Sequence, residues 1–264
     1  MASPPQRPGF PARLDLGGAR SAARPAPRAP AAAPAAVPAA AGVAPVARDP
    51  VPARARMVQL LAAEGIQDAQ VLRAMGSVDR HHFVDSALAA QAYEDTALPI
   101  GLGQTISKPS VVARMVELLV QGGVRGEGGK LGRVLDIGTG CGYQALVLAQ
   151  LASEVYSIER LRQLHEKARA NLRPLRVPNV HLILGDGMAG FAKGAPYAGI
   201  VSAAGGEALP DAWIEQLAWG GRIVAPIVQG GTTQALVVVD KTRQGIQQTV
   251  LEAVHFVPLK SGVA

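Results

Sequence analysis

Two short stretches carry the residues best suited to chemistry. The first is "VLDIGTGCGY", residues 134–143, in which Gly138, Gly140 and Gly142 follow an apolar run and precede a helical one. Glycines at such a junction let the chain turn tightly and bring backbone N–H groups close to a ligand. The spacing is not the dinucleotide G-x-G-x-x-G, because Tyr143 stands where the third glycine would be. The chain has no GxxxxGK[ST] stretch, so a P-loop is excluded. Asp136 lies two residues before the first glycine, which suits a ligand with cationic or hydroxylated groups better than a pyrophosphate. Glu159 ends the next apolar run and can accept hydrogen bonds from two ribose hydroxyls. Asp186 and Gly187 end the third, where a carboxylate can recognise adenine. In a doubly wound sheet these strand ends meet in one crevice. Together they point to S-adenosylmethionine, with Asp136, Gly138, Thr139, Gly140, Glu159, Asp186 and Gly187 as the binding set.

The second stretch is "ALPIGLGQTISKPSVVARM", residues 97–115. Gly101 and Gly103 suggest a pliable loop, and Gln104, Thr105 and Ser107 supply an amide and two hydroxyls. Ser107 stands where it can cap the helix that Pro109 introduces, and the helix N–H groups behind it could face an anion. No metal site is expected. His81 and His82 are adjacent and point to different faces, and "HEKAR" departs from HExxH at Arg169. Cys141 reads as a small residue tolerated at a helix start.

The elements that must position these groups follow from periodicity. From Met57 the pattern is helical: Val58, Leu61 and Ala62, then a helix capped by Asp68, then a third over "RHHFVDSALAAQAY". Val111, Val112, Met115, Val116 and Leu119 make one apolar stripe on a helix ending near Gly122. After residue 128 strands and helices alternate, and the last strands follow without a helix between them. The expected fold is α/β: a doubly wound, mostly parallel seven-stranded Rossmann-like sheet with an antiparallel edge and an N-terminal helical segment.

Residues 1–50 differ in kind. They hold more than half of the chain's 20 prolines, and six arginines against two aspartates. Such a composition cannot bury a core, so a disordered leader is expected over 1–50 and a methyltransferase domain over 51–264. Within that domain, 51–128 is expected to carry the substrate loop and 129–264 the cofactor core. A native start at Met57 is a further expectation, checked by the intact mass of the endogenous protein. Of the net charge of +6, the leader holds +4, so the folded body is nearly neutral and a nucleic-acid partner is not expected. No apolar run is long enough to span a membrane. A single cysteine fits a reducing compartment, and a cytoplasmic monomer is expected.

"ALPIGLGQTIS", "VLDIGTGCGYQ", "GDG" and the closing "VHFVPL" together resemble the protein-L-isoaspartate O-methyltransferase family over about residues 57–260. The resemblance implies methyl transfer from S-adenosylmethionine to the α-carboxylate of L-isoaspartyl residues in damaged proteins and peptides, with succinimide formation afterwards. It implies that Ser107 is the active-site serine, with Gln104, Thr105 and Ile106 beside the substrate. Three positions depart from the family pattern: Ala198 where an acid is usual, Asp79 for a proline, and Cys141 for a serine. The alternatives are a methyltransferase of the same fold acting on a small molecule or RNA, and a non-catalytic cofactor-binding paralogue.

Overall fold

The computed structural model describes residues 49–264. The leader expected over residues 1–50 lies outside the described residues except at its last two positions. These begin α1 (Pro50–Ala63), whose N-cap is Asp49, accepting from the Val51 N–H at 3.0 Å. The helix thus starts seven residues before Met57 rather than at it. A proline at the first helical position supplies the right φ and lacks only a donor that would be orphaned anyway. Arg54 pairs with Asp79, so the N-terminal half of this helix is tied to the body through the unusual aspartate.

The helix α2 (Ala69–Ser77) is capped as expected, with Asp68 accepting from Gln70 and Val71 at 2.7 and 3.1 Å. The third helix expected in this segment is instead two 3-10 turns, Arg80–Phe83 and Ser86–Gln91, broken at Val84–Asp85. Asp85 caps the second turn through the Ala87 N–H, so the chain restarts there rather than continuing. The expected loop at 98–106 is a hairpin of β1 (Leu98–Gly101) and β2 (Gln104–Ile106). Its tip takes three successive positive φ values, at Gly101, Leu102 and Gly103. Two glycines make that turn accessible; only Leu102 is held there against its preference. The apolar stripe buries α3 (Pro109–Gly122). Glu117 on this helix is buried, and its carboxylate accepts the N–H groups of Gln67 and Asp68 at 2.6 and 2.8 Å, pinning the helical segment down.

The core is built from β3 (Leu131–Ile137), α4 (Tyr143–Ala149), β4 (Ala152–Glu159), α5 (Arg162–Leu172), β5 (Val180–Leu184), β6 (Tyr197–Ser202), α6 (Asp211–Gln216), β7 (Leu217–Gly230), β8 (Thr233–Thr242) and β9 (Gly245–Val254). The sheet order is β5-β4-β3-β6-β7-β8-β9, parallel as far as β7 and antiparallel beyond, as the sequence pattern predicts. Strand order reverses between β3 and β6, which places the ligand crevice at their carboxyl ends. Ala198 lies near the start of β6, buried, five residues before Ala203. At about 3.3 Å per residue that is roughly 16 Å from the crevice, so the missing acid leaves the site untouched.

Candidate functional site

A cavity of about 320 Å³ lies at the reversal point, lined by the glycine loop, Glu159, Gly187, the hairpin and the closing segment Val257–Lys260. A smaller inner cavity is lined by Thr105, Ile106, Ser107, Thr139, Cys141 and Tyr143, and it shares Ile100, Thr105, Gly138, Gly140 and Ala203 with the first. Three clefts elsewhere are larger, about 430 Å³ between Glu64–Ile66, α3 and the β8–β9 edge, about 940 Å³ beside α1 and about 950 Å³ beside α5. None of them is lined by the glycine loop, Glu159 or the hairpin, so chemistry and not size chooses the site.

The glycine loop needs its glycines. Gly140 has φ 56°, and a Cβ there would come within 3.1 Å of Ile100 Cδ1 on the hairpin. The loop is anchored by Gly138 and Thr139 N–H groups, which both donate to the Ile158 carbonyl, at 2.9 and 3.3 Å. Glu159 is buried at the cavity edge, with Oε2 accepting the Gly140 N–H and Oε1 the Leu161 N–H, each at 2.9 Å. A carboxylate has about four acceptor positions, so two remain for ribose hydroxyls.

Asp136 occupies a different place from the one its spacing suggests. It is fully buried, and its oxygens accept from Gln144 Nε2 at 2.8 Å and Ser157 Oγ at 2.6 Å. Ser157 also meets Thr139 Oγ1 at 2.7 Å. Asp136 therefore braces the base of the loop from behind and lines neither cavity; Thr139, at its side, lines the inner one. Ser157 is its cross-strand partner in β4, a pairing that register alone creates.

Burial raises the Asp136 carboxyl from 3.8 to about 6; the Ser157 and Gln144 hydrogen bonds oppose that rise, and the charge of Glu159 adds to it. The folded state thus holds this proton more tightly than the unfolded chain. The penalty for the buried charge is absent at low pH, grows between about pH 4 and 6, and is complete above. Relative to the neutral isostere Asp136→Asn, the wild type loses on the order of 2–3 kcal/mol of stability between pH 4 and pH 8. Urea unfolding of both proteins at the two pH values checks this; a constant difference would refute it.

Asp186 accepts from Met188 N–H at 2.8 Å, and from Gly262 N–H at 2.7 Å. Gly187, not Asp186, lines the cavity. Ala264 pairs with the backbone of Arg160 and Arg162, both at 2.9 Å, so the terminal residues form a strap across the ends of β4 and β5. Sequence reasoning assigned this strap no role, although "VHFVPL" just before it was singled out. Gly205 grips that segment by exchanging 2.8 Å bonds with Val257 and Leu259.

Ser107 is half-buried in the wall of the inner cavity, and its hydroxyl has no protein hydrogen-bond partner among the described residues. It is not the cap of α3. The N-cap is Lys108, and the carboxylate that serves the helix end is Asp95, which accepts the Ser110 N–H and hydroxyl, both at 2.8 Å. The expectation that this helix end faces a substrate anion is corrected accordingly: Asp95 already takes that role. Thr105 lines both cavities, Gln104 the larger and Ile106 the inner one. Lys167 Nζ donates to the Ile100 carbonyl at 2.8 Å and holds the hairpin against α5. Cys141 is buried, and burial pushes its thiol up, away from reactivity.

The family model for protein-L-isoaspartate(D-aspartate) O-methyltransferase matches residues 53–264. A protein-L-isoaspartate O-methyltransferase of Leptothrix cholodnii is 61% identical over 214 residues, 80% of this chain and 74% of its own. One of Methylibium petroleiphilum is 54% identical over 264 residues, 97% of this chain and 96% of its own. Among solved structures, a protein-L-isoaspartate O-methyltransferase superposes with a TM-score of 0.70 at 27% identity, over 80% of this chain and 67% of the other. A putative protein-L-isoaspartate O-methyltransferase of Plasmodium falciparum, in complex with S-adenosyl-L-homocysteine, gives 0.66 at 25% identity, over 78% of this chain and 98% of the other.

Proposed function

The chain belongs to the protein-L-isoaspartate(D-aspartate) O-methyltransferase family, and from that membership we propose how its residues divide the work. It is an S-adenosylmethionine-dependent carboxyl O-methyltransferase acting on L-isoaspartyl residues of damaged proteins. Residues 51–128 supply the acceptor side of the site and residues 129–264 the cofactor side. The observation that carries this reading is the unbonded Ser107 hydroxyl, in a cavity that shares its wall with the glycine loop.

The residues present fit the cofactor. Gly138, at φ 89°, holds a left-handed turn, a Cβ on Gly140 would crowd Ile100, and Glu159 keeps acceptor positions free for the ribose. When bound, the cofactor supplies a methyl group on a positively charged sulfur. The acceptor carboxylate, with a pKa near 3.5–4, is already ionised at neutral pH, so no general base is required. This explains why the inner cavity holds no histidine. Attack joins an anion and a cation into neutral products, so a dry site favours the reaction. Ile100, Ile106, Val112 and Tyr143 exclude water from the inner cavity. Ser107 donates one hydrogen bond to the carboxylate, and Thr105, Gln104 and Ile106 hold the flanking backbone in line.

Radiolabelled methyl transfer to an isoaspartyl peptide, giving a base-labile ester, with the aspartyl isomer inert, tests the reading. Cofactor binding without turnover would favour the non-catalytic alternative. The reading extends to a cytoplasmic monomer without nucleic-acid or membrane partners, supported by the nearly neutral body and single cysteine; sedimentation as one chain mass checks the oligomeric part. Asp186 serves the adenine while sharing its carboxylate with the strap. Deleting residues 260–264 removes the Gly262 bond and Lys260 from the cavity lining, and is expected to weaken S-adenosylhomocysteine binding by about three- to tenfold. Calorimetric titration reads this directly; unchanged affinity would remove the strap from the site.

A further inference from the structure

Arg80 has no place in the motifs, yet among the described residues it is the one arginine or lysine that is buried. Its side chain is 0% exposed. Nε donates to the Ala92 carbonyl and Nη2 to the Ser107 carbonyl, both at 2.7 Å. Nη1 has no hydrogen-bond partner among the described residues. The guanidinium lies over the ring of Tyr143, 4.7 Å from its centroid, and Tyr143 lines the inner cavity beside Ser107. Among the described residues no carboxylate stands within ion-pair distance of it. Asp95, whose charge favours the Arg80 cation from a distance, is committed to the start of α3. An arginine keeps its proton even where burial opposes the charge, as it does here. A dry, unpaired cation is costly to a fold unless an anion arrives to meet it.

We propose that Arg80 is a positioning residue of the acceptor site: it holds the Ser107 carbonyl, and its uncompensated charge draws the isoaspartyl carboxylate into the inner cavity. The proposal rests on the reading of Ser107 as the acceptor contact. The low-dielectric surroundings extend the reach of this charge beyond what a surface arginine has. Its kinetic signature follows from the reaction. Negative charge on the acceptor declines toward the transition state, so a cation behind the site stabilises the bound peptide at least as well as the transition state. Interactions of that kind appear in KM and not in kcat.

The test compares Arg80→Gln, Arg80→Lys and Ser107→Ala with the wild type, measuring KM and kcat for an isoaspartyl peptide and Kd for S-adenosylhomocysteine. The expected result for Arg80→Gln is a KM raised about tenfold or more, with kcat within about threefold and Kd within about twofold. Arg80→Lys, which restores the charge, recovers most of the KM. The proposal is overturned if Arg80→Gln leaves KM unchanged, or if the lysine and glutamine variants lose kcat and cofactor affinity together, which is the mark of packing alone. Should the glutamine variant fail to fold, the lysine variant decides: KM near wild type supports the charge, and KM raised tenfold refutes it. An effect in the Arg80 variants with none in Ser107→Ala would sink the Ser107 reading instead, so the two failures are distinguishable.

Discussion

Replacing Ser107 with alanine lowers kcat/KM for an isoaspartyl peptide by about 10- to 100-fold, the worth of one hydrogen bond to a charged acceptor in a dry site. The Kd for S-adenosylhomocysteine stays within about twofold, because Ser107 lines the inner cavity and not the larger one. Stability hardly changes. The hydroxyl has no protein partner to lose, and the end of α3 is served by Asp95. This separation is what makes the variant informative. Had Ser107 been the helix cap, alanine would have cost about 1 kcal/mol of stability and confused folding with chemistry. Steady-state kinetics beside calorimetric titration reads the outcome. Normal turnover, or a large loss of cofactor affinity with turnover of the remaining complex intact, would remove Ser107 from the acceptor site.

Glu159→Ala moves the other half of the site. It deletes the proposed ribose acceptor and also strips the Gly140 and Leu161 N–H groups of their only side-chain partner. Two hydrogen bonds to a charged group are lost to the ligand, so the Kd for S-adenosylhomocysteine rises by about 10²-fold or more. Two half-buried donors lose their carboxylate in the protein, which costs about 1–3 kcal/mol of unfolding free energy. Glu159→Gln is expected to fall between the two proteins. Its amide oxygen can still accept one N–H, while its NH₂ must face the other. Isothermal titration and urea unfolding separate the two effects. Wild-type affinity in Glu159→Ala would overturn the ribose assignment, and wild-type stability would overturn the bracing role.

What was legible in the sequence was whatever the chain enforces locally. The order of strands and helices follows from apolar periodicity, and the antiparallel edge from the missing helix between β7 and β8. Asp68 as a cap is a relation across two or three residues. Where local signals conflicted, the reading slipped. "RDPVPAR" holds a cap and a first-turn proline, but proline richness places its first three residues in the leader and helical periodicity shows only from Met57, whereas α1 begins at Pro50. "RHHFVDSALAAQAY" has helical composition, yet Asp85 restarts the chain in its middle. "GLG" suggested pliability, and the three left-handed residues make a hairpin tip instead.

The sequence by itself singled out the glycine loop, Glu159 and the hairpin's hydroxyls as the candidate site, because a motif of few residues carries each of them. Only the tertiary structure decided which groups those residues answer to. Asp136 turns to Ser157 across the strand pair and not to a ligand. Asp95 takes the helix end that seemed meant for a substrate. Gly262 reaches Asp186 from 76 residues away, and Arg80 stands behind Ser107 from 27. These contacts join segments with no shared pattern. A hydrogen bond of this kind exists only once helices and sheet have packed, and packing depends on the whole core rather than on the residues it brings together.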